Sequence, residues 1–106
     1  MDANLPASWR VRATPQEPLP AEAAALLTEL LAACDPHPEV RAISIEDSEG
    51  GPAFRVWLTA FVGALQLELD RLQAAHRSLI VIAVRLPAGS TEPTVSPSER
   101  LYTRMK

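Results

Sequence analysis

The chain has 106 residues, is 47% hydrophobic and carries a formal net charge of -3. This length suits one domain, and the lone Cys34 excludes an internal disulfide framework. A sequence pI near 5.3 argues against a generally basic nucleic-acid binder. The absence of an apolar run of about 20 residues and of a signal-peptide pattern at the start leads us to expect a soluble, cytoplasmic protein.

The first half of the chain predicts a strand, a helix and a second strand. Residues 7–14 alternate between apolar and polar, which is typical of a strand. Residues 21–34 place apolar side chains at helical spacing, and Asp35-Pro36 ends that pattern because proline disfavours helical geometry in the residue before it. Residues 40–46 form a short predicted strand.

The second half repeats this order, with a strand, a helix and a strand. Residues 54–60 alternate and form a predicted hairpin with the preceding strand. Residues 61–76 return to helical spacing. Residues 79–86 are nearly all apolar and rich in Ile and Val, which favours a strand buried on at least one face.

The two ends of the chain differ from this pattern. We predict a flexible leader over residues 1–6, a single α+β domain over residues 7–86, and a tail rich in Pro, Ser and Thr over residues 87–106. Three sizeable apolar residues in the tail could anchor it as a docking arm on a sheet edge or a partner: Leu101, Tyr102 and Met105.

The order strand-helix-strand-strand-helix-strand resembles the ferredoxin-like split βαβ architecture. That resemblance implies a four-stranded antiparallel sheet with two helices on one face, the first and third strands central, and a flexible C-terminal tail. It extends to the architecture and not to a family, and a fold of this kind is compatible with many functions.

Alternation along the strands also predicts which side chains lie on the helix-free face of this sheet. Trp9, Phe54, Ile80 and Ile82 are assigned to the helix-covered core. The helix-free face then gathers arginines around one tryptophan, with a small apolar edge. The predicted interface residues are Arg10, Arg12, Arg55, Trp57, Val81 and Arg85. We expect Arg10 or Arg12 to stack on Trp57 from a neighbouring strand.

Three interpretations of this face remain open. It can be a solvated surface, a protein interface, or a platform for nucleic acid. We favour a non-catalytic interaction or assembly module, either self-associating or joined to a different protein, with no membrane partner. A small dimeric enzyme or ligand sensor with His76 in a pocket between sheet and helices is the alternative, and nucleic-acid binding through the arginines ranks below it.

The sequence lacks short motifs by which many catalytic and ligand-binding sites are recognised, namely GxxxxGK[ST], GxGxxG, HExxH, CxxC and GxSxG. Cys34 and His37 have the spacing of two metal ligands, and His76 could join them if both helices ended at the same side of the sheet. A buried cysteine and two structural histidines account for these residues more simply. We therefore predict neither a cofactor nor a catalytic residue.

Overall fold

The computed structural model describes residues 9–13, 19–46, 52–90, 93, 95 and 99–104. The predicted leader, residues 1–6, lies outside these ranges. The elements are β1 (Trp9–Ala13), α1 (Ala21–Cys34), β2 (Val40–Glu46), β3 (Ala53–Leu58), α2 (Gly63–Ala75), β4 (Ile80–Arg85) and β5 (Arg100–Arg104). The α+β class and the first six elements agree with the sequence analysis.

The described residues form a sheet of five strands in the order β1-β5-β2-β3-β4. Neighbouring strands are antiparallel except for β3 and β4, which are parallel. The expected four-stranded antiparallel sheet is therefore wrong in both number and direction. The expectation that the first and third strands are central is also wrong, because β1 and β4 form the two edges.

The fifth strand comes from the segment expected to be a flexible tail. β5 pairs with β1 on one side and with β2 on the other. Tyr102 is 2% exposed and belongs to the hydrophobic core, and Leu101 is buried as well. The chain thus completes its own sheet with residues that the sequence suggested as anchors for a docking arm. Met105 lies outside the described residues.

Both helices pack on one face of the sheet through the apolar positions that their spacing predicts. α1 begins after Pro20, whose carbonyl accepts the Ala24 N–H at 2.9 Å, and it buries Leu26 and Leu30 completely. α2 buries Leu65, Leu69 and Leu72. These helix residues form one cluster with the strand residues Ile43, Phe54, Val56, Val81 and Tyr102. In the described part of the chain, no helix is long and apolar enough to cross a membrane.

The two faces of β4 are the reverse of those expected. Val81 is 8% exposed and packs in the core, where it pairs with Phe54, whereas Ile80 and Ile82 are 45% and 43% exposed. The assignment of Val81 to the helix-free face is therefore wrong by one residue. A run of Ile, Val and Ala lacks the apolar-polar alternation that would define its register, and a shift of one residue exchanges the faces.

Candidate interaction surface

The pairing of the strands defines the helix-free face of the sheet. One row across it contains Arg10, Thr103, Ala42, Trp57 and Val84. The middle of this face is not accessible, because Ala42, Thr103 and the neighbouring Ser44 are at most 2% exposed. Accessible area on this face is therefore found towards its two edge strands.

Trp57 and Arg55 separate the buried middle of this face from the β4 edge. The Trp57 indole Nε1 donates to Ser44 Oγ at 2.9 Å, which satisfies a hydroxyl that is fully buried. The Arg55 guanidinium lies 2.8 Å from a Glu46 carboxylate oxygen and 3.7 Å from one of Glu99, just before β5. Both side chains thus hold strands together as well as facing outwards.

Beyond Trp57, the face is apolar up to its edge. The side chains of Ile80, Ile82 and Val84 follow one another along β4, and Val84 pairs directly with Trp57. We call these four residues the β3–β4 strip. Each isoleucine leaves over two fifths of its surface exposed, and removing such side chains from water stabilises a complex. Scattered exposed apolar residues are ordinary, but a row of them along an edge strand is typical of a contact site.

The predicted arginines do not gather around Trp57. Arg85 pairs with the core residue Leu58, so it lies on the helix-covered side of the sheet, at the end of β4. Arg10 is exposed on the helix-free face, but β5 and β2 separate β1 from β3, a distance of about 14 Å at the usual strand spacing. The predicted stacking on Trp57 from a neighbouring strand is therefore wrong. The side chain of Arg12 lies outside the described residues.

The arginine that does stack on a tryptophan is one that the sequence analysis missed. The Arg104 guanidinium lies 4.6 Å from the centre of the Trp9 ring. It donates to four backbone carbonyls at the end of α1 and the start of β2, namely those of Cys34, Asp35, His37 and Val40, at 2.8 to 3.1 Å. The Trp9 indole in turn donates to Asp35 Oδ1 at 3.2 Å.

This Arg104 cluster joins β5 to the C-terminus of α1. The last carbonyls of a helix have no intrahelical partner and favour a cation nearby. Burial lowers the pKa of Arg104, and the Asp35 carboxylate opposes that effect. No local pattern in the sequence predicts this cluster, because Arg104 lies more than sixty residues after the carbonyls to which it donates and follows a segment with the composition of a linker.

Among the described residues, the structure does not bring His76 together with the two residues with which it was expected to form a metal site. Each helix runs antiparallel to the strands that it connects, and β2 is antiparallel to β3, so the helices are antiparallel to each other. The end of α2 therefore lies beside the part of α1 that contains Glu22 and Glu29. The expected common end for both helices is wrong.

The partners of His76 are two carboxylates of α1. Its Nε2 is 2.8 Å from Glu29 Oε1 and its Nδ1 is 3.3 Å from Glu22 Oε2, while Ser78 Oγ donates to Glu22 Oε1 at 3.0 Å. The hydrogen bond to Glu29 raises the pKa of His76, with a smaller contribution from Glu22. Both ring nitrogens are engaged, so this arrangement fits a link between the helices better than a ligand handle. In the sequence, this link could have been recognised only from the spacing of Glu22 and Glu29, which are seven residues or two helical turns apart and so lie on one side of α1.

Cys34 and His37 take part in the packing and the turn at the end of α1. Burial raises the pKa of the Cys34 thiol to about 12, so the side chain is a protonated, apolar member of the core. The His37 N–H donates to the Cys34 carbonyl at 2.9 Å in the turn after α1. Within the described ranges, no group of three or more His, Cys, Asp or Glu side chains is arranged to hold a metal ion.

Comparisons with protein families, with curated proteins and with solved structures gave no match to this chain.

Proposed function

We propose that this chain is a non-catalytic protein-interaction module that binds a protein through the β3–β4 strip. The observation that carries the proposal is the exposure of Ile80 and Ile82, at 45% and 43%, on the edge strand next to Trp57 and on the same face of the sheet. Covering these side chains with another protein removes apolar surface from water, which is the main favourable term in most protein association.

Two features of the surroundings support this choice of surface. The middle of the helix-free face is already buried, so the strip is a bounded patch and not part of a wide solvated sheet. Arg55 is paired with carboxylates, and Arg85 lies on the other side of the sheet, so the arginine platform needed for nucleic acid is not assembled beside Trp57. An apolar strip with an aromatic side chain at its border suits a protein partner.

The test is site-specific photo-crosslinking in the cells that make the protein. A benzophenone amino acid replaces Ile82 in one variant and Leu67 in the control. Leu67 is 72% exposed on α2 and is the matched apolar position away from the strip. We expect a covalent adduct with a protein from position 82, weakened at least tenfold by Ile80→Glu, and little adduct from position 67.

The proposal is overturned if position 82 yields no protein adduct, or if the two positions yield the same adducts. The mass of the adduct also shows whether the bound protein is another copy of the chain or a different protein. Ile82 and Ile80 are better probes than Trp57, because Trp57→Ala would also leave the buried Ser44 hydroxyl without the hydrogen bond from the indole.

A further inference from the structure

The outer edge of β4 is one of the two edges of the sheet in the described residues, and its hydrogen-bonding groups point away from β3. The Ile80 N–H donates to the Pro52 carbonyl and the Leu86 N–H to the Leu58 carbonyl, so the even-numbered residues direct their backbone groups towards β3. Successive residues of a strand alternate in this respect. The backbone groups of Val81, Ala83 and Arg85 are therefore directed outwards.

One side chain occupies the beginning of this edge. Gln73, near the end of α2, accepts the Val81 N–H at 2.8 Å and donates to the Leu79 carbonyl at 2.6 Å. Its amide thus bonds to β4 in the way that a neighbouring strand would. The outward groups that follow are the Val81 carbonyl, the Ala83 N–H and carbonyl, and the Arg85 N–H.

These remaining groups are complementary to themselves under a two-fold rotation. If two copies of β4 lie antiparallel with Ala83 opposite Ala83, each Ala83 N–H faces the other Ala83 carbonyl. Each Val81 carbonyl then faces the Arg85 N–H of the other copy. The Val81 N–H is opposite the Arg85 carbonyl in this register but keeps Gln73 as its acceptor, so the bonds donated by Ala83 and Arg85 remain. In a register centred on Ile82, Val81 is opposite Ala83, and only the Ala83 N–H can donate between them.

We propose that two copies of this chain pair through their β4 edges, antiparallel and centred on Ala83, to form one continuous sheet. The inference rests on the proposed function and names the occupant of the strip. In this register Ile82 lies opposite Val84 of the second copy, so the two β3–β4 strips meet on the helix-free face. An edge strand without Lys, Pro or a bulge to block pairing is suited to such addition.

The register is tested by disulfide formation between single-cysteine variants of the full chain. Residues opposite each other in a non-hydrogen-bonded antiparallel pair have Cα atoms about 4.5 Å apart, within the range of a disulfide. We expect Ile82→Cys mixed with Val84→Cys to give a covalent heterodimer under mild oxidation, at least tenfold above either variant alone. Native Cys34 is fully buried, so the wild-type chain serves as the thiol control.

Each other outcome contradicts the proposal in a distinct way. A disulfide dimer of Ile82→Cys alone would indicate a register centred on Ile82, and one of Val84→Cys alone a register centred on Val84. No dimer from any mixture, with circular dichroism showing all variants folded, would exclude edge pairing between copies. The proposed function would survive that last result if the photo-crosslink at position 82 joins the chain to a different protein, and would fail with it if no adduct forms.

Discussion

The strands β4 and β5 occupy places opposite to those their compositions suggest. β4, with the sequence IVIAVR, is the most apolar strand, yet it lies at an edge with two isoleucines over two fifths exposed. β5, with the sequence RLYTR, has three polar or charged residues in five, yet it lies inside the sheet with strands on both sides. The position of a strand in the sheet thus depends on the hydrogen-bond partners of its polar groups as well as on its hydrophobicity.

The difference between the two strands lies in their tertiary partners. Arg104 of β5 donates to four carbonyls around the end of α1, which compensates for its burial. The outer edge of β4 has the Gln73 amide at its beginning, and the outward groups that follow belong to Val81, Ala83 and Arg85. β5 is therefore a strand completed within the chain, whereas β4 is a strand that a partner can complete.

The largest expected effect comes from removing β5. A chain that ends at residue 98 loses the strand that joins β1 to β2, and with it the buried Tyr102. We expect no cooperative unfolding transition in urea and no near-ultraviolet circular dichroism signal from the tryptophans, because a domain of this size has only about 5–15 kcal/mol of stability to lose. A transition at the wild-type midpoint would show that β5 is dispensable, and would contradict its description as a strand that completes the sheet.

A single substitution of Arg104 should also be costly. Arg104→Met keeps much of the side-chain length but leaves four carbonyls without their donor, so we expect the free energy of unfolding to fall by about 3 kcal/mol. Arg41→Met is the matched control, since Arg41 makes one exposed, 3.5 Å contact with the Pro38 carbonyl, and it should cost less than about 0.5 kcal/mol. Equal losses in urea titrations would refute a special role for Arg104.

A smaller effect is expected where a side chain holds β4. Gln73→Ala removes the hydrogen bonds to the Leu79 carbonyl and the Val81 N–H and should cost about 1–2 kcal/mol. Gln66→Ala provides the control on the same helix, because Gln66 donates to Asp70 at an exposed position, and should cost less than about 0.5 kcal/mol. If thermal unfolding shows no difference between the two variants, Gln73 does not secure the edge.

The smallest expected effect is the pH dependence of the link between the helices. Carboxylates raise the pKa of His76 above its ordinary value of about 6.5, so the stabilisation is fully present below that value and is lost as the pH rises through the folded-state pKa. The stability difference between wild type and His76→Gln should therefore be larger at pH 5.5 than at pH 8.5, by at most about 1 kcal/mol because both glutamates are about half exposed to solvent. The same comparison for His37→Gln subtracts the general effect of losing an imidazole. A difference that is flat or grows with pH would contradict the link.

Local pattern predicted the elements well because each depends on neighbouring residues. The apolar spacing of 21–34 gave the bounds of α1, and the alternation around Phe54 gave the helix-covered face of β3 correctly. The face of β4 could not be predicted, since both of its faces are apolar. The sheet order and the Arg104 cluster depend on contacts between residues distant in the chain, for which a short strand after a Pro- and Ser-rich segment gives no local signal.

We have proposed that the outer edge of β4 pairs with a second copy of the chain. The most direct test of this pairing is the solution mass by light scattering over a concentration series, for wild type and for Ala83→Pro. Proline at 83 removes an outward N–H while the bonds from β4 to β3 use the even-numbered residues, so the monomer should stay folded. We predict that wild type rises from 11.5 kDa towards twice that mass while Ala83→Pro stays at 11.5 kDa. A wild-type mass of 11.5 kDa at every concentration would contradict the claim.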